Sequence, residues 1–158
     1  VVSVKSVTGG KAMTFPATAQ LGQEDCVYGP HVLIGSVDGS LEVTNGDGLM
    51  HNVHSFPFDN ASINRAQPQG SDPITTSLEF PEIYKVACDI HSWMSAWIVV
   101  AEHSYYEITG EDGTFALDDV PAGTYEVEVW HEALGRLIQT VTVTDGETTD
   151  ITFALAPK

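Results

Sequence analysis

The chain has 158 residues, 42% of them hydrophobic, and sets 6 Lys plus Arg against 22 Asp plus Glu for a net charge of -16. That surplus of acid repels nucleic acid and anionic lipid, which excludes both as partners. No apolar run approaches the roughly 18 residues that a membrane-spanning helix needs, so no membrane span is expected.

The acidic residues are spread along the chain without a long run. They suit solubility in a salty medium, or steering toward a basic partner over the short reach that salt allows. The length fits one domain or two small ones. A first residue, Val1, in place of Met is the form expected of an exported chain whose signal has been removed, so a periplasmic or secreted location is expected.

Strand signals dominate and helical periodicity is nearly absent. Cys26 lies four residues before Pro30. Residues 32–37 and 41–45 are short apolar runs joined by Asp38-Gly39-Ser40, which predicts a hairpin. His51 follows Asn45-Gly46-Asp47-Gly48 and is expected at a strand-connecting loop. From there to residue 80, Pro57, Pro68 and Pro73 mark loops around one strand at 75–79. An apolar strand at 84–88 ends on Cys88, and a further strand occupies 95–100.

After residue 100 the texture changes. Glu111-Asp112-Gly113 and Val120-Pro121-Ala122-Gly123 are turn signals, and Tyr125, Val127, Val129 and His131 alternate with Glu126, Glu128 and Trp130. Residues 137–155 read as a hairpin turning at Asp145-Gly146. The expected fold is all-β in two β-sandwich units, one over 1–101 and a small one over 102–158. The second is short for an independent core and is expected to pack on the first or to borrow a strand from 1–16.

Cys88, His91 and Met94 stand in one seven-residue stretch, C-D-I-H-S-W-M, with His51 upstream in H-N-V-H. A thiolate, two imidazoles and a weak axial thioether form the donor set of a blue-copper electron-transfer site, because that mixture suits Cu(I) and Cu(II) alike. A short loop between two strands lets all three residues of the stretch curl round one ion. Trp93, Trp97, Tyr84 and Met50 are expected to form an apolar wall round the ion, with Trp93 alternatively exposed beside His91.

The stretch C-D-I-H-S-W-M-S-A-W-I-V-V resembles the C-terminal ligand loop and last strand of a cupredoxin, with the C-x-x-H-x-x-M spacing of amicyanin. Upstream, Y-G-P-H-V-L-I-G-S-V-D-G-S-L-E-V-T-N-G-D-G-L-M-H-N-V resembles the plastocyanin and amicyanin segment that leads to the first copper-binding His. The likeness spans residues 23–100. It implies a Greek-key β-sandwich with one type 1 copper, His51, Cys88 and His91 as strong ligands and Met94 axial. It further implies that Asn52 fixes the cysteine loop by hydrogen bonding. Residues 106–157, with I-T-G-E-D-G-T-F-A-L-D-D-V-P-A-G-T-Y-E-V-E-V-W-H, resemble the later strands of a carboxypeptidase regulatory-like, transthyretin-like domain, which implies a noncatalytic accessory unit.

The main expectation is an electron carrier, not an enzyme, that exchanges electrons with a cytochrome or a dehydrogenase through the edge of His91. No nucleophile elbow, zinc-protease helix or phosphate-binding loop appears in the sequence. Two alternatives stay open. In an exported protein Cys26 and Cys88 would form a disulfide, worth about 4 kcal/mol by chain entropy, and the product would be a metal-free interaction module. Otherwise Cys26, His54 and His31 would join the metal ligands in a copper-handling or multi-copper site. Asn60-Ala61-Ser62 fits an N-glycosylation acceptor.

Overall fold

The computed structural model describes residues 1–157, and among them there is no helix. The strands are β1 (Val2–Val4), β2 (Thr18–Glu24), β3 (Val27–Gly29), β4 (Val32–Ser36), β5 (Gly39–Asn45), β6 (His51–Ser55), β7 (Asn64–Gln67), β8 (Ile74–Leu78), β9 (Ile83–Ala87), β10 (Ser95–Ala101), β11 (Tyr106–Glu107), β12 (Gly123–His131) and β13 (Gly135–Val143). The chain divides into two compact units: Thr14–Glu102, and His103–Lys158 together with Val1–Met13.

The unit Thr14–Glu102 is a sandwich of two sheets, one of order β4-β10-β9-β6-β7 and the other of order β3-β2-β5-β8. Alternation builds its core. In β2, Ala19, Leu21 and Gln23 point inward while their neighbours face out. The central strand β10 is flanked by β4 and β9 and is buried from Ile98 to Ala101. Leu21, Leu41, Val43 and Leu78 from one sheet meet Val53, Tyr84, Val86 and Ile98 from the other in one apolar cluster. The sheets approach so closely at Gly35 that a Cβ there would stand 2.6 Å from a Leu78 methyl.

The hairpin predicted across Asp38-Gly39-Ser40 is not formed, because β4 and β5 belong to opposite sheets. The chain crosses over in a single step: Val37 N–H donates to the Ala101 carbonyl of β10, and Asp38 N–H donates to the Leu78 carbonyl of β8. Asp38 takes a left-handed φ of 63° at this corner. The inward run of β4 pairs parallel to β10 and buries Ile34 there.

Asn60 is not available for glycosylation. It is 8% exposed; its amide donates to the Phe80 carbonyl and to Glu82, and its oxygen accepts the Glu79 and Phe80 amides. Its role is to lock a loop.

In the other unit, a four-stranded sheet has the order β11-β1-β12-β13, with β1 paired on both sides. Val2, Val4, Tyr105, Val127, Val129 and Val141 form its core. The hairpin predicted over 137–155 is replaced by one between β12 and β13, in which His131 pairs with Gly135. Ile151, Phe153 and Leu155 still pack on the core, but as extended chain outside any strand. Gln139 and Thr149 side chains tie that segment to β13 through the Thr152 and Thr142 carbonyls.

Candidate metal centre

Three loops meet at one end of the sandwich. The first carries residues 46–50 into β6 and is shaped by Asn45, whose amide donates to the Leu49 and Gln67 carbonyls while its oxygen accepts the Asp47 N–H. This Asx turn delivers His51 as the first residue of β6. His51, Val53 and Ser55 are buried, whereas Asn52 and His54 take the other face of the strand.

The second loop, residues 88–94, joins β9 to β10. Cys88 N–H donates to the Met94 carbonyl at 3.2 Å and Met94 N–H donates to the His91 carbonyl at 3.0 Å, which curls the stretch back on itself. Asn52 secures it from β6: its N–H donates to the Cys88 sulfur at 3.4 Å and its side-chain oxygen accepts Asp89 N–H at 3.3 Å. Tyr28 adds a further tie, its hydroxyl donating to the Asn52 carbonyl at 2.8 Å. Burial, reinforced by Cys88 and Asp89, pushes that phenol well above its ordinary range, so it stays a donor.

These loops bring donors together. His51 Nδ1 lies 3.0 Å from His91 Nδ1, and His91 Nδ1 lies 3.8 Å from Cys88 Sγ. His51 Nε2 stands 2.7 Å from the Asp47 carboxylate. Because the Asp47 carboxylate can only accept, His51 donates from Nε2 and turns its Nδ1 toward His91. Both Nδ1 atoms therefore face one point beside a thiol, and imidazole nitrogens with thiol sulfur suit a soft or borderline cation such as copper. Met94 is 1% exposed and belongs to the same core cluster as Cys88.

The third loop is the β2–β3 turn, and it brings Cys26 to the centre. The ligand atoms of Cys26, His51 and His91 all lie within 4.8 Å of one another. Cys26 and Cys88 are both free thiols, so the disulfide considered from sequence is not formed. Two other candidates stand apart. His54 faces outward and pairs with Asp89 at 3.0 Å, and His31 is exposed with Nδ1 3.1 Å from the Ser95 carbonyl. Of the residues expected to wall the site, Tyr84 is buried, but Met50 and Trp93 are 52% and 67% exposed. The Trp93 ring stands 5.3 Å from that of His91.

Sequence reading missed Asp47. It accepts from His51 and from the Cys26 and Asp25 amides. The Cys26 amide contributes most to holding its carboxyl below the ordinary range, joined by His51 and the Asp25 amide and outweighing the cost of burial. Its only sequence signal is an acid four residues before a His, inside a run that reads as a plain turn.

A search of the curated proteins returns no match. A family profile described as carboxypeptidase regulatory-like domain matches residues 95–156. Among solved structures, the chain is similar to a purple cupredoxin from Nitrosopumilus maritimus, at 23% identity over 54% of this chain and 100% of that one, with a TM-score of 0.44. It is similar to amicyanin from Paracoccus versutus at 19% identity over 63% of this chain and 97% of that one, TM-score 0.47. A copper-containing nitrite reductase from Thermus scotoductus is similar at 20% identity over 61% of this chain but 25% of its own, TM-score 0.49. The likeness is thus to cupredoxins and, over the later residues, to a carboxypeptidase regulatory-like domain.

Proposed function

We propose that this chain is an exported electron-transfer protein that holds copper through His51 Nδ1, Cys88 Sγ, His91 Nδ1 and the thioether of Met94. The observation that carries the reading is the meeting of two imidazole Nδ1 atoms 3.0 Å apart with the Cys88 sulfur 3.8 Å from one of them. Bound copper would supply a one-electron couple between Cu(I) and Cu(II).

The protein's part is to hold the donors still and dry. Asp47 fixes the tautomer and plane of His51, and Asn52 N–H stabilises charge on the Cys88 sulfur. Donors held at the start of β6 and in the hydrogen-bonded loop between β9 and β10 have little freedom to rearrange when the charge changes. His91, only half-buried, is the edge through which an electron leaves, with exposed Trp93 beside it. Its counterpart is a redox protein such as a cytochrome or a dehydrogenase, and the net charge of -16 favours one with a basic docking face. Among the described residues no helix is long and apolar enough to cross a membrane. The unit that contains β12 and β13 serves as a noncatalytic accessory.

Titrating reduced, metal-free protein with Cu(II) and recording the visible spectrum tests this. An intense thiolate-to-copper band, lost in Cys88→Ser, is expected. Absence of the band, or a band that survives Cys88→Ser, overturns the reading.

A further inference from the structure

The β2–β3 turn has two residues, Asp25 and Cys26, between the paired Glu24 and Val27. Both adopt left-handed backbone, with φ of 52° and 55°. A two-residue turn of this kind favours Asn-Gly or Asp-Gly, yet the second place holds Cys, whose side chain is disfavoured at positive φ. The chain keeps a thiol where glycine would be easier.

That thiol is positioned from both sides by the neighbours of the two histidines. The Asp47 carboxylate, which accepts His51 Nε2–H at 2.7 Å, also accepts Cys26 N–H at 2.9 Å and Asp25 N–H at 2.7 Å. Trp93, whose ring stands 5.3 Å from that of His91, donates its indole N–H to the Cys26 carbonyl at 3.0 Å. The Cys26 Sγ ends within 4.8 Å of ligand nitrogens on both rings. Cys26 is half-buried and unbridged, while Cys88 is buried.

We propose that Cys26 is a second thiol ligand of this centre, completing with His51 and His91 a His2Cys site for Cu(I) that does not need Cys88. The proposal shares its two histidines with the copper site proposed above and so rests on that reading. Two imidazoles and one thiolate are a trigonal donor set for soft copper, and these histidines have a thiol available on each of two loops. Binding through Cys26 replaces its thiol proton, which passes to solvent. The centre therefore accepts Cu(I) at a half-buried thiol as well as at the buried Cys88.

The test is anaerobic competition of the full chain with a chromophoric Cu(I) chelator, using Cu(I) alone as probe. Cys88→Ser is expected to hold one Cu(I), about 100-fold or more tighter than Cys26→Ser/Cys88→Ser, because losing a ligand costs at least what losing its supporting contacts does. Equal affinities in the two variants overturn the proposal. Wild-type protein gives an independent readout that needs no substitution: Cu(I) should slow iodoacetamide alkylation of Cys26, mapped by mass spectrometry, at least tenfold. Unchanged alkylation of Cys26 in copper-loaded protein overturns the proposal as well. A missing Cu(II) band in the wild type would instead count against the electron-transfer reading, so the two failures are separable.

Discussion

His51 donates its Nε2–H to the Asp47 carboxylate at 2.7 Å, and that contact decides which nitrogen of the ring faces the centre. Without it the ring loses both its orienting partner and the negative charge that strengthens Nδ1 as a donor. Asp47→Ala is expected to weaken copper binding by about 10- to 100-fold, the usual effect of removing a carboxylate behind a ligating His. Asp47→Asn, which keeps an acceptor but no charge, should fall between that variant and wild type. Chelator competition measures both, and unchanged affinity in Asp47→Ala would refute the role.

Asn52 joins β6 to the ligand loop and to β7. Its side-chain oxygen accepts Asp89 N–H and its amide donates to Asn64, while its backbone N–H to Cys88 survives substitution. Asn52→Ala should therefore retain the thiolate-to-copper band but cost stability, about 0.5 to 1.5 kcal/mol for each partly exposed bond lost. Urea unfolding of the metal-free protein reads the cost. Loss of the band at full foldedness would show that the side chain, not the backbone amide, governs the sulfur.

The loop 88–94 was legible because Cys88 and His91 are close in sequence and lie between two strong strand signals, which bring their side chains near one another. Cys26 could be flagged but not placed. Its position depends on the β2–β3 turn lying against residues 46–50, a contact between segments some 20 residues apart, made by Asp47. The hairpin misread at Asp38 has the same origin: a turn signal marks a change of direction and does not say whether the two strands share a sheet. Alternation at Ile151, Phe153 and Leu155 correctly marked the inward face. It could not tell a strand from extended chain held by side-chain bonds, since both present every second residue to the core.

His54 and His31 lie outside the group formed by Cys26, His51 and His91. His54 is turned to the opposite face of β6, where the Asp89 carboxylate accepts a hydrogen bond from its Nδ1 and the Phe56 ring packs at 4.1 Å. His54→Ala and His31→Ala should each leave both the Cu(II) band and the copper-to-protein ratio unchanged. Elemental analysis after gel filtration checks the ratio. A lower ratio in either variant would bring that histidine into the metal site.

Glu82 predicts how the sandwich responds to acid. Burial alone would raise its pKa, but hydrogen bonds from the Phe58, Asn60 and Asp59 amides and the Asn60 side chain outweigh it, leaving the carboxyl below its ordinary value of 4.5. A group whose folded pKa is depressed contributes stability that is fully present above the unfolded value and disappears as pH falls through the folded one. Stability of Thr14–Glu102 should thus hold down to about pH 5 and decline below pH 4.5 as this carboxylate protonates. Glu82→Gln keeps one acceptor but loses the charge, and should cost about 1 to 3 kcal/mol at pH 7. The penalty should shrink as pH falls through the depressed pKa of wild-type Glu82 and that carboxyl loses its charge too. Denaturant unfolding of both proteins from pH 7 to pH 3 would show the curves converging, and a penalty independent of pH would mean that packing, not charge, holds the loop at Asn60.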